Sequence, residues 1–245
     1  MPAHDVSVVS TSDVHRPPLL VLLASALLGP TAWQPVAEAL RAMGRKVIVV
    51  PPEGALVPAT ADEASDLYER FVPTDRALIL VPHSNAGNFV PALIGSRKVA
   101  AVVFVDSVIP VAFGVQNLAP PEFLAEIEQL ADEDGMLPVW TSWFPEDDVA
   151  PLFPNPSVRS GVESRQPTLS VRFLRSSLLI QPGWDKVPAS YLAFGNTYAD
   201  EQDRAGIYGW KVVRLDGRHL HMVVDPQRVA VEILALARPH DPKDP

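Results

Sequence analysis

Short apolar runs recur along this chain with amphipathic stretches between them. That alternation restricts the fold more than any other feature. Residues 17–24, 46–50, 76–81, 99–105, 190–194 and 210–215 read as strands. Residues 31–43 read as a helix with Trp33, Val36, Ala37 and Leu40 on one face, and Gly44 stands where a helix C-cap is expected. Further helices are expected over 61–71, 87–94 (kinked at Pro91), 121–131, 200–208 and 226–237. Strands apolar on both faces, alternating with helices, predict an α/β fold. Its central sheet would be mostly parallel and flanked by helices on both sides.

The chain has 245 residues, of which 47% are hydrophobic, enough for one large domain with a substantial core. Residues 1–16 are polar and aperiodic and are expected to form a flexible N-terminal arm, with the domain spanning 17–245. The rhythm breaks between about 110 and 187. That stretch is rich in proline, carries Trp140, Trp143, Phe144, Phe153, Phe173 and Trp184, and reads as a largely irregular inserted lid. A net charge of −9 argues against nucleic acid and anionic membrane surfaces as partners. No apolar run approaches the roughly 20 residues that span a bilayer. Residues 19–26 resemble the core of a signal peptide, but Asp5 and Asp13 precede them with only Arg16 as a clear positive charge. A buried strand is the preferred reading, and a cytoplasmic location is expected. The absence of cysteine excludes disulfides and thiolate metal sites, and the six histidines show no metal-binding spacing. No metal or cofactor is expected; the expected partner is a small-molecule substrate. Oligomeric state is not legible.

Chemistry concentrates at Val81-Pro82-His83-Ser84-Asn85-Ala86-Gly87, a turn between an apolar strand and a helix. A serine with compact residues two positions to either side, on such a turn, has the shape of a nucleophile elbow. Glycine usually fills both flanking positions; here they are Pro82 and Ala86, so the motif is degenerate. Taken alone, Ser84 reads equally well as a helix cap. A second segment, Leu215-Asp216-Gly217-Arg218-His219-Leu220-His221-Met222, follows the last strand. Its histidine would lie at the C-terminal edge of the sheet, where ligand chemistry occurs in open α/β sheets.

From residue 17 onward the chain resembles the α/β-hydrolase superfamily, in the degenerate elbow, the late His219 and the loop Ala24-Ser25-Ala26-Leu27-Leu28-Gly29-Pro30 followed by Trp33. The resemblance implies a nucleophile at Ser84, a base at His219 and an oxyanion hole built by the backbone N–H groups of Ala26 and Asn85. Ala24-Ser25 stands where the superfamily usually has His-Gly. The superfamily most often places its acid after the strand at 191–194, where this chain has Gly195-Asn196-Thr197-Tyr198, with Asp200 and Glu201 beyond. Asp106, at the end of the strand at 99–105, matches an earlier position used by some lipases and is the candidate acid. Asn196, Asp200 and Glu201 stay open as alternatives, and Asp216 is a poorer one. Leu27, Trp140 and Trp143 are expected to line an apolar substrate pocket. His83 is expected to pack beside the elbow, and His221 to face away from His219 if that segment is extended. The implied activity is a serine hydrolase cleaving an ester, lactone or thioester of an apolar or bulky small molecule through an acyl-enzyme. A non-hydrolytic elimination or cyclisation with His219 as base is the alternative, and a non-catalytic ligand-binding role a third.

Overall fold

The computed structural model describes residues 17–237. The expected arm over 1–16 and three of the histidines, His4, His15 and His240, lie outside the described residues. Six strands form one parallel sheet: β1 (Leu19–Leu23), β2 (Val47–Val50), β3 (Leu78–Ser84), β4 (Val99–Ser107), β7 (Ala189–Phe194) and β8 (Lys211–Leu215). Their order across the sheet is β2-β1-β3-β4-β7-β8. Between β4 and β7 lies a separate antiparallel pair, β5 (Gly114–Asn117) and β6 (Ser177–Ile180). β1 and β3 are buried along their whole length, as central strands covered on both faces must be.

The strand order fixes the helix layers. The crossover from β1 to β2 runs outward, and the next one, from β2 to β3, runs back. Right-handed connections therefore place helix α1 (Gln34–Ala42) on one face and α2 (Ala61–Phe71) on the other. Helix α3 (Val90–Ser96) packs beside α2. The final helices, α9 (His221–Val224) and α10 (Pro226–Leu236), close over α1. Thr60 caps α2 by accepting the Glu63 N–H, and Asp225 caps α10 by accepting the Arg228 N–H.

Three local expectations change. The helix expected over 31–43 begins as a 3-10 turn, Pro30–Trp33, before α1. The stretch 87–94 is not a kinked helix. A 3-10 turn, Asn85–Phe89, precedes α3, and Pro91 occupies the first turn of α3, where an N–H would have no partner. The segment between 110 and 187 holds more order than its composition suggests. It contains the β5–β6 pair, α4 (Pro121–Ile127), α5 (Glu146–Val149), α6 (Pro156–Glu163) and α7 (Val171–Arg175). Trp140, Leu152, Phe153 and Phe173 bury themselves in the same core cluster as the sheet. Helix α8 (Ala199–Ile207) connects β7 to β8.

Candidate active site

Ser84 ends β3 in a conformation few serines adopt, with φ 56° and ψ −130°. Positive φ costs a side chain free energy, so the surroundings must hold it there. They do so through the end of β4. The Ser107 hydroxyl donates to the Ser84 carbonyl at 2.7 Å, and the Val108 N–H donates to the same oxygen at 3.1 Å. Gly87 lets the turn pass this close. A Cβ there would come within 2.0 Å of the Val108 carbonyl oxygen and 2.6 Å of Ser107 Oγ. The flanking Ala86 is fully buried, so compactness matters on the elbow's C-terminal side even without the usual glycine.

Asp106 lies near the end of β4, is completely buried and also has positive φ, 41°. Its Oδ1 accepts the Phe194 N–H at 2.9 Å, which ties it to β7. Its Oδ2 lies 2.7 Å from His219 Nδ1. The structure thus brings Asp106, of the carboxylates left open by the sequence, to the imidazole. Asn196 instead accepts a hydrogen bond from Arg214. Asp200 and Glu201 begin α8, and burial raises the Glu201 carboxyl above its ordinary range. With Nδ1 directed to a carboxylate, Nε2 is the nitrogen left for proton transfer.

A second histidine supports the first. His83, beside the elbow as expected, stacks on His219 with ring centroids 4.5 Å apart. Its Nε2–H donates to the His219 carbonyl at 3.0 Å, since a carbonyl can only accept. Burial, with the nearby His219 ring adding to it, holds the His83 pKa well below the usual histidine value. Trp33 meets the His83 ring edge-on at 5.9 Å. His221 does not alternate with His219 along a strand. It opens α9, and its ring packs on Phe194 at 5.4 Å.

Ser84 and His219 converge through a residue the sequence reading had not singled out. Ser84 Oγ lies 3.5 Å from the Tyr198 hydroxyl, and the Tyr198 ring centroid lies 5.6 Å from that of His219. Among the described residues, Ser84 makes no hydrogen bond to His219. The available signal was position alone: Tyr198 stands in the turn after β7, where the superfamily usually keeps its acid. Burial raises the phenol's pKa, so it stays protonated.

The loop expected to carry the oxyanion hole lies beside the elbow because β1 and β3 are neighbours, with Leu23 paired to Pro82. Asn85 is the first residue of its 3-10 turn, so its N–H has no partner within that turn. The other expected donor is engaged: the Ala26 N–H donates to Asn85 Oδ1 at 3.2 Å. The amide orientation follows, since Nδ2 in that place would set donor against donor. Nδ2 is buried without a partner. Of the three expected pocket residues, Trp140 lies against His219, with centroids 5.7 Å apart. Trp143 packs on Phe123 and donates Nε1–H to the Pro138 carbonyl at 2.8 Å, while Leu27 is buried in the core cluster. A cavity of about 210 Å³ borders the loop after β1, lined among others by Ser25, Ala26, Thr31, Tyr68 and Arg165. Among the described residues no cluster of three or more histidines and carboxylates could hold a metal, and no helix is long and apolar enough to cross a membrane.

No protein-family model and no curated protein sequence matches the chain. Solved structures do. An extracellular α/β-hydrolase from a Paenibacillus species, described as sharing structural and functional homology with tobacco salicylic acid binding protein 2, superposes with a TM-score of 0.68 at 19% identity. That match covers 91% of this chain and all of the other. Tomato methylketone synthase I complexed with 2-tridecanone gives 0.67 at 17% identity, covering 90% of this chain and 97% of the other. The methylesterase MES16 from Arabidopsis gives 0.64 at 17% identity, with 89% and 98% covered. At these identities the likeness establishes the fold: the chain has the α/β-hydrolase fold.

Proposed function

We propose that this protein is a serine hydrolase that cleaves an ester bond of an apolar small molecule through an acyl-enzyme. The observation that carries the reading is the Asp106–His219 contact of 2.7 Å beside a serine held at positive φ. A buried carboxylate on Nδ1 orients the ring and offsets the charge that develops on it. His219 Nε2 takes the Ser84 proton as Oγ adds to the substrate carbonyl. In this step the hydroxyl turns from Tyr198, 3.5 Å away, to the imidazole. The oxyanion is received by the Asn85 N–H and by the Ala26 N–H, displacing Asn85 Oδ1. His219 then protonates the departing oxygen, and in the second half-reaction it activates water. The segment 110–187 acts as a lid, and Trp140 gives the acyl or alkyl part an apolar wall. Structural neighbours that include polyneuridine aldehyde esterase and the methylesterase MES16 support this reading.

Turnover of a panel of alkyl and aryl esters tests it. Ser84→Ala and His219→Ala should each abolish turnover while melting as the wild type does.

Two contacts favour a second reading. The Ala26 N–H is already satisfied by Asn85, and the Ser84 hydroxyl is bonded to Tyr198 rather than to His219. A reaction that needs His219 only as a general base, with Ser84 as a hydrogen-bond donor, requires neither arrangement to change. It would survive Ser84→Ala and be lost in His219→Ala.

A further inference from the structure

The Tyr198 hydroxyl lies 3.5 Å from Ser84 Oγ, and the mechanism above leaves it without a chemical task. We propose that its hydroxyl donates a hydrogen bond to the leaving-group oxygen of the substrate, and thereby selects oxygen esters over thioesters. The inference rests on the hydrolase reading and deepens it.

The strand order decides which side of the reacting carbon Tyr198 serves. In the order β2-β1-β3-β4-β7-β8 the elbow ends β3. The oxyanion loop follows β1, on one side of the elbow. Tyr198 follows β7 and His219 follows β8, both on the other side. The oxyanion therefore faces Ala26, and the leaving group faces Tyr198 and His219. The two loops on that side are fastened together. Gly195 has φ 68°, and a Cβ there would lie 2.5 Å from the Gly217 carbonyl oxygen. The Gly195 N–H donates to the Leu215 carbonyl at 3.2 Å, at the end of β8. Tyr198 thus follows a turn packed directly against the loop of His219.

The step balances without a further reactant. The Ser84 Oγ–carbon bond forms, and the bond from carbon to the leaving oxygen breaks. The serine proton travels through His219 Nε2 to that oxygen. Tyr198 keeps its own proton and lends only the hydrogen bond, which strengthens as charge grows on the departing oxygen. Sulfur accepts hydrogen bonds weakly, so a thioester gains little from it.

The test compares wild type and Tyr198→Phe on an alkyl ester and the matching S-alkyl thioester of one acyl group. In kcat/KM, which reports acylation, the ester should lose about tenfold, the size of one hydrogen bond to a charged group, and the thioester less than twofold. Melting curves should coincide. Equal losses on both substrates would mean a merely structural tyrosine, and a gain on the ester would mean a latch on Ser84; either overturns the proposal. Labelling of Ser84 by a fluorophosphonate, whose leaving group is fluoride, separates the two layers. If the wild type is not labelled, the hydrolase reading fails and takes this proposal with it. If both proteins are labelled equally while the ester shows no selective loss, only the Tyr198 assignment fails.

Discussion

Asp106 Oδ2 reaches His219 Nδ1 at 2.7 Å across 113 residues of sequence, and both groups are buried. β4 carries the aspartate and the turn after β8 the histidine, with β7 between them. The Phe194 N–H of that middle strand holds the other carboxylate oxygen at 2.9 Å. The carboxylate is thus fixed at both oxygens before any substrate arrives.

Asp106→Asn tests this arrangement with little change of shape. The amide keeps an acceptor for the Phe194 N–H but no longer stabilises the imidazolium. The expected loss in kcat is roughly 10³–10⁴-fold. Initial rates measure it, with a melting curve to show that the fold survives.

Asn85→Ala addresses the engaged oxyanion donor. Asn85 Oδ1, which accepts the Ala26 N–H at 3.2 Å, would compete with substrate for that donor. A neutral hydrogen bond of that length contributes on the order of 1 kcal/mol, so removing the competitor should raise kcat/KM by up to about fivefold. Steady-state kinetics on the preferred ester reads this directly. A loss of tenfold or more would mean that the carboxamide itself serves the reaction.

His83 predicts how stability depends on pH. Its pKa in the folded protein lies well below the ordinary 6.5 that it regains on unfolding. Below pH 6.5 the unfolded chain therefore binds a proton that the folded one refuses. Stability from this group is complete above that pH and drains away as the pH falls toward the folded value. The melting temperature should fall between pH 7 and pH 5. His83→Gln, which cannot titrate and still offers a donor to the His219 carbonyl, should fall less over the same range.

Gly87→Ala should damage the elbow without touching a reacting group. The added carbon meets the Val108 carbonyl oxygen at 2.0 Å, which backbone cannot yield cheaply. A destabilisation on the order of 3 kcal/mol is expected, measurable as a shift of the denaturant midpoint. Gly95→Ala, where nothing lies within 4 Å of the new carbon, is the control.

The sheet was legible because its strands are buried on both faces, so their apolar runs carry the signal without reference to any partner. Ser84 and His219 were legible for a related reason: each follows an apolar run at the strand end where such chemistry collects. Asp106 was the candidate acid only through the resemblance, with Asn196, Asp200 and Glu201 left open, since an aspartate after a strand looks the same in sequence whether it caps a turn or holds an imidazole. Tyr198 on Ser84 and Asn85 on Ala26 join residues 114 and 59 apart. Such contacts depend on how closely β1, β3 and β7 bring their loops together, which no local pattern encodes. Within 110–187 only the helix expected over 121–131 was legible, seen as the shorter α4; α5, α6 and α7 are four to eight residues long, too short to display a period.

Mass spectrometry of the intact protein after exposure to a fluorophosphonate, followed by peptide mapping, bears most directly on the hydrolase account. One adduct on the Ser84 peptide is predicted, absent in Ser84→Ala and formed far more slowly in His219→Ala and Asp106→Asn. A folded protein that leaves Ser84 unmodified, or that labels at the same rate without His219, would contradict it.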